Sequence, residues 1–265
     1  MRNSTIMGFV LMASIVIGCP SDVPSVDSPS PGDAYHAALT ASDRSSRDRE
    51  RDGLRRPSEI LALVGVREGM QILDLIVGGG WYTEVLSRVV GPNGHVIAHN
   101  SPLTDDRYGS LLEERLKGSR LPNVEAVVQE VDALDFPPAS FDAVFLVQFY
   151  HDTYWMEVDR AAMNRAVFDA LRPGGVYLVI DHSAEVGSGA RDTESLHRVD
   201  ETMVREEVAA AGFRLETESQ TLRNADDPRD GSVFRSSIRG QTDRFVFKFV
   251  KPAGKTVAER EPDAR

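Results

Sequence analysis

Cysteine is almost missing from this chain. Cys19 stands alone among 265 residues, so no intrachain disulfide can form and no Cys-x-x-Cys pair exists to hold a metal. Basic charge is also short: 30 Lys and Arg face 41 Asp and Glu, a formal net charge of −11. A protein that tracks nucleic-acid phosphates needs a basic stripe, and the densest basic stretch, Arg44 to Arg56, is interleaved with Asp48, Glu50 and Asp52. That balance argues against nucleic acid as a partner. No internal repeat of solenoid period is present. No Gly-Lys-Ser/Thr follows the glycines at 78–80, which excludes a Walker-type phosphate loop. What remains is an ordinary globular composition, 41% hydrophobic and 27% charged, sufficient for a single α/β core of some two hundred residues.

The first uncharged apolar run, Ile6 to Gly18, is thirteen residues long. A membrane-spanning helix needs about 20, whereas a signal-peptide core needs about 7–15. Val16-Ile17-Gly18-Cys19 resembles the lipobox of bacterial lipoproteins, in which the cysteine becomes the lipidated first residue of the mature chain. The expected organisation is a signal peptide over 1–19, a Pro/Ser-rich tether over 20–33, one domain over 34–250 and a polar tail over 251–265. The domain is then expected at the cell envelope, facing the periplasm, with the membrane reached only through Cys19. A plain cleaved signal, or a misassigned start ahead of a cytoplasmic enzyme, reads the same residues differently.

Within the domain, helical and strand patterns alternate. Pro57 opens a helix that Gly65 stops. Gln71 to Val77 is a short apolar run suited to a strand buried on both faces; Gly78-Gly79-Gly80 turns it into a helix over Trp81 to Val90. Further strands are expected at His95 to His99, Val124 to Gln129, Asp142 to Phe149, Val176 to Asp181, Phe213 to Thr221 and Arg244 to Val250. A helix is expected over Met156 to Leu171, and Asp200 can cap another that Gly212 ends. Arg223 to Gly240 reads as a long insertion or lid. Such alternation implies a mostly parallel, doubly wound sheet with helices on both faces and a ligand crevice at the strands' carboxyl ends.

Alone, a glycine turn after a strand suits a dinucleotide, a phosphate or tight packing, and Gly-x-Gly-x-x-Gly spacing is not met here. Four stretches together resemble class I S-adenosylmethionine-dependent methyltransferases: Asp74 to Thr83, Val131-Asp132-Ala133, Ser140 to Val144, and Leu171-Arg172-Pro173-Gly174-Gly175. The resemblance covers roughly residues 50 to 250. It implies a Rossmann-like seven-stranded sheet whose last strand is antiparallel, with S-adenosyl-L-methionine as cofactor and a small-molecule methyl acceptor. It also implies that Asp74 and the backbone of Gly78, Gly79 and Gly80 meet the cofactor's amino-acid part, and that Asp132 and Ala133 meet its adenine. Two positions depart from the family's pattern. Ile76 stands where the motif has its first glycine, and Asn100 stands where an acid grips the ribose hydroxyls. An amide offers one neutral acceptor oxygen where a carboxylate offers two charged ones.

Methyl transfer from a sulfonium needs chiefly positioning, with a base when the acceptor is a hydroxyl or a protonated amine. His151, just past the fourth strand, and His182, at the end of the fifth, are the candidate bases. Tyr150, Tyr154 and Trp155, with Phe149, are candidates to wall the acceptor pocket or to pack in the core. Arg191, Asp192, Glu194 and Arg198 read as a charged loop over the site. His151, Asp152, Asp181 and His182, with Glu194 and His197 nearby, could supply mixed nitrogen and oxygen ligands, but no metal-binding spacing such as His-x-x-x-His supports them and no metal is assigned. Besides methyl transfer, two functions stay open: a non-catalytic envelope module binding a small metabolite on the same fold, and a metal-dependent hydrolase.

Overall fold

In the computed structural model the described residues are 30–253. The signal peptide, Cys19, most of the tether and most of the polar tail lie outside them. Three helices come first: α1 (Pro31–Thr40), α2 (Ser46–Arg55) and α3 (Pro57–Val64). Ser30 and Ser45 cap the first two by accepting the amides of Asp33 and Asp48. The expected tether therefore loses its last three residues to α1, where Pro31 suits a first helical turn.

The alternating part follows as β1 (Gln71–Leu75), α4 (Trp81–Val90), β2 (His95–Asn100), α5 (Pro102–Leu116), β3 (Val124–Val128), β4 (Phe141–Val147), α6 (Asp152–Trp155), α7 (Arg160–Ala170), β5 (Leu171–His182), α8 (Glu201–Ala210), β6 (Arg214–Ser219) and β7 (Arg244–Val250). The sheet runs β3-β2-β1-β4-β5-β7-β6, and β7 alone is antiparallel to its neighbours. This is the expected doubly wound seven-stranded sheet. The expected helix over Met156 to Leu171 is shorter, because Asp159 accepts the Ala162 amide and caps a start at Arg160.

Alternation along the strands divides the core into two layers. Leu73, Val144, Tyr177 and Phe247 point toward α7 and α8, where Met163, Val167, Val204 and Val208 meet them. Ile72, Val96, Phe145 and Leu178 point the other way, toward α1, α3 and α4. Asp74 shares the parity of Ile72 and so lies on the α4 side. Among the described residues no helix is long and apolar enough to cross a membrane.

The stretch Arg223 to Gly240 is irregular, as expected, but it is not a loose lid. Arg198 and Asp227, both fully buried, form a two-bond ion pair at 2.8 and 3.0 Å. Arg223 is held by Glu201, Glu218 and Asp243. The same pair corrects the charged-loop reading of 191–198: Asp192 and Arg198 are buried, so only part of that loop meets solvent. Lys251, first residue of the expected tail, is anchored too, its Nζ donating to the carbonyls of Phe168 and Leu171 at 2.7 Å.

Candidate functional site

The site lies where the sheet topology puts it, at the carboxyl ends of β1, β2, β4 and β5. After β1 the chain turns through Ile76, Gly78 and Gly80, all in the left-handed region with φ of 56°, 55° and 75°. Gly80 permits close packing as well as the turn: a Cβ there would stand 2.8 Å from Leu112 Cδ1 on α5. Gly79 is similarly close to Leu111. The glycines thus serve the seating of α5 on the turn, and Arg115 of α5 donates to the Gly79 carbonyl at 2.6 Å.

Asp74 is buried beneath this turn and accepts from the Thr83 hydroxyl at 2.6 Å. Burial pushes its carboxyl up to about 7, against the opposing pull of the Thr83 hydrogen bonds and the Arg55 charge. Asn100 is fully buried, and both ends of its amide are engaged with Gly78: Oδ1 accepts from the Gly78 N–H at 2.9 Å and Nδ2 donates to the Gly78 carbonyl at 3.1 Å. The residue expected at the ribose instead fixes the glycine turn. Asp132 accepts the Asp159 amide at 3.0 Å through Oδ2, and the Ala133 amide donates to the Glu130 carbonyl at 3.1 Å.

The two candidate bases differ sharply. Asp181, fully buried at the end of β5, accepts three N–H groups: the His151 backbone at 2.8 Å, the His151 ring Nδ1 at 2.8 Å and the His182 backbone at 2.7 Å. The far nitrogen of His151 stands 3.1 Å from Asp152 Oδ1 and 3.2 Å from His197 Nδ1. Burial alone pulls the His151 pKa down, but Asp181 and Asp152 outweigh it and hold it at about 10. His182 is pushed well below the ordinary value by burial, with repulsion from His151 and Arg244 adding to it. Its Nδ1 bonds Thr242 Oγ1 at 2.7 Å and its Nε2 meets the Gln148 amide nitrogen at 3.1 Å, the pattern of a neutral ring.

Of the six residues that could have made a metal site, the fold brings together His151, Asp152 and His197. Asp181 stands behind His151 rather than beside the trio, and His182 is turned to Gln148 and Thr242. The candidate wall residues are engaged within the protein. Tyr150 is buried with its hydroxyl donating to Glu207 at 2.9 Å, Tyr154 lies under the Arg160 guanidinium at 3.8 Å, and Trp155 donates to Asp152 at 2.9 Å.

A cleft of about 370 Å³ opens instead over the ends of β4 and β5 and the start of β7, lined by Gln148, His182, Phe234 and five arginines. Gln148, at φ 58°, is a non-glycine residue held in the left-handed region at this rim, as is His197 at φ 55°. Neither Gln148 nor the arginines were read from the sequence as site residues; Arg47, Arg51 and Arg55 entered only within the basic stretch weighed against nucleic acid. The signal present was the spacing of Arg47, Arg51 and Arg55, four residues apart on one helix.

A family model described as a methyltransferase domain matches residues 72–175, the stretch from β1 into β5. The chain is 30% identical over 170 residues to the ubiquinone/menaquinone biosynthesis C-methyltransferase UbiE of Cronobacter sakazakii, covering 60% of this chain and 65% of that enzyme. Against the UbiE of Pasteurella multocida it is 34% identical over 123 residues, covering 43% of that enzyme. The chain thus spans under two thirds of the length of these curated relatives. Among solved structures, a SAM-dependent methyltransferase from Aquifex aeolicus superposes with a TM-score of 0.56 at 20% identity, covering 81% of this chain and 97% of that one. The fold is therefore the Rossmann-like fold of S-adenosylmethionine-dependent methyltransferase structures.

Proposed function

We propose that this chain is a methyltransferase that uses S-adenosyl-L-methionine and acts on a small-molecule acceptor. The observation that carries the reading is one rim holding both parts such a reaction needs: a glycine turn over a buried, near-neutral Asp74, and beside it a cleft containing a neutral histidine. The methyltransferase-domain match over the same strands supports it.

The donor set suits the cofactor at two of its three acidic positions. Asp74 is a buried carboxyl that must shed its proton to carry charge, so an ammonium brought to the end of β1 favours that loss and completes an ion pair that the chain leaves unmade. Asp132, in the loop after β3, has one oxygen engaged by Asp159 and suits an amino donor at the other. At β2 the amide of Asn100 already serves Gly78, so a ribose is held there only if that bond opens. When bound, the cofactor supplies an activated methyl group on sulfur, and departure of the thioether requires no acid.

The chain's own residues then have separable tasks. Asp74 and Asp132 bind. The Asp181 carboxylate fixes the His151 ring, which at about 10 stays protonated and donates. His182 is neutral and lines the cleft, and because both its ring nitrogens are engaged it accepts the acceptor's proton at Nε2 only when the Gln148 bond opens. Ahead of the described residues, the leader ending at Cys19 holds the domain to the periplasmic side of the envelope; a Cys19→Ser chain still found with membranes overturns that assignment.

The test is calorimetric titration with S-adenosylhomocysteine. Saturable binding is expected, weakened about tenfold or more by Asp74→Asn and by Asp132→Ala, as loss of a charge-assisted bond of about 1.5–3 kcal/mol implies. Absence of binding at millimolar ligand overturns the reading.

A further inference from the structure

Five arginines meet in the cleft above β4, β5 and β7: Arg47, Arg51 and Arg55 from α2, Arg239 from the irregular stretch, and Arg244 at the start of β7. In a chain of net charge −11 this is a local reversal of sign. No Asp or Glu is among the described residues that line the cleft, and none of the five is in an ion pair with a described residue, whereas Arg44, Arg88, Arg115, Arg198 and Arg223 all are. Like charges spaced four apart on a helix repel. Arg55 is driven down to about 10 by burial, with Arg51 and Arg244 adding to it, while its guanidinium lies over the Trp81 ring at 4.6 Å. The chain therefore maintains a cluster of cations that Asp48 and Asp243 offset only at a distance, without an ion pair among the described residues.

Arg244 makes the cluster a built site. It is only 7% exposed, donates from one terminal nitrogen to the Leu54 carbonyl at 2.8 Å, and its Nε is buried without a hydrogen-bond partner. Arg44, Arg88 and Arg205 also carry a buried Nε without a partner, but each is held in an ion pair; Arg244 combines that unmet donor with a place in the cleft wall and no ion pair among the described residues. Leu54, Val233 and Phe234 give the same cleft an apolar side.

We propose that this cleft binds a small anionic molecule, one carrying phosphate or carboxylate oxygens on a partly apolar body, and that this molecule is the methyl acceptor. The second half rests on the methyltransferase reading; the first does not. Arginine forks suit such oxygens through paired N–H donors, and His182 and Gln148 then face the body of the ligand. The cofactor's own carboxylate is the other source of the same chemistry.

Inorganic pyrophosphate is the probe, titrated calorimetrically into the full chain and into Arg51→Gln, Arg239→Gln and Arg165→Gln. Arg51 and Arg239 are exposed and make no side-chain hydrogen bond, so their variants should fold; Arg165, on α7, is the remote control. Saturable binding is expected, at least tenfold weaker in each cleft variant, unchanged in Arg165→Gln, and weakened by added salt. Absence of binding at millimolar pyrophosphate, or equal binding by all variants, overturns the site. The titration is repeated with S-adenosylhomocysteine at saturation. Simultaneous binding supports an acceptor seat, and displacement overturns that assignment by giving the arginines to the cofactor's carboxylate. Pyrophosphate binding without any homocysteine derivative binding upholds the anion site while the methyltransferase reading fails.

Discussion

Asp74 couples stability to pH in a way a surface carboxylate cannot. An aspartate titrates near ~3.9 in an unfolded chain, and Asp74 titrates at about 7 in the fold. A pKa raised on folding gives stability that is complete below the unfolded value and is lost as pH rises through the folded one. Ionising Asp74 therefore costs roughly 4 kcal/mol by pH 8. Asp74→Asn should be more stable than the parent at pH 8 by up to that amount, with the gap closing toward pH 4, as urea unfolding at both pH values would reveal; a constant gap would contradict a buried, ionisable Asp74. A ligand that brings a cation to Asp74 lowers its pKa, so binding near pH 6 should release a proton, visible as a dependence of the heat on buffer. Ile76 poses the opposite question. A β-branched residue at φ 56° is strained by about 1–3 kcal/mol, yet its side chain is buried in the core, and removing such a side chain costs about 2–5 kcal/mol. Burial wins, so Ile76→Gly should destabilise the chain although it installs the glycine of the resembled motif; increased stability would show that strain dominates.

At the scale of elements, much of the molecule was legible in the sequence because its signals are local. Apolar runs of strand length, the caps Asp200 and Gly65, and the turn Gly78 to Gly80 each act within a few residues of themselves, and each has its element in the structure. What was not legible depends on contacts between distant segments. Arg198 and Asp227 look like loop charges along the chain, but they are a buried ion pair that ties 223–240 to the domain. Breaking such a pair from one side typically costs about 3–5 kcal/mol, because the other charge stays buried. Asp227→Asn should therefore lower stability by a few kcal/mol and loosen 223–240, measured as faster amide exchange there; unchanged exchange would mean the stretch is held by other means. The candidate site divides the same way. Asp74, His182 and the glycine turn announced themselves, whereas the arginine cleft joins α2 to β7 and has no motif. Asn100, anticipated at a ligand, bonds the turn after the neighbouring strand, and no pattern in the sequence marks that choice.

Across the whole molecule, the strand order β3-β2-β1-β4-β5-β7-β6 has a consequence for assembly. β6 reaches the sheet only through β7, whose pairing joins Val176 to Val250 and Arg214 to Val250. Non-local pairings of this kind form slowly, since the chain must close a long loop before the contact rewards it. Phe247, fully buried between Phe245 and Phe249, anchors that step, and Phe247→Ala should cost about 3–5 kcal/mol in equilibrium unfolding; a loss below 1 kcal/mol would mean β7 docks by its backbone alone. The cleft draws Arg244 from β7, His182 from β5 and three arginines from α2. It comes into being only when the two ends of the described chain have met. In a refolding experiment the capacity to take up an anion should thus return with the slowest phase, after helicity has recovered, so that ligand uptake times the moment the last strand slides into the sheet.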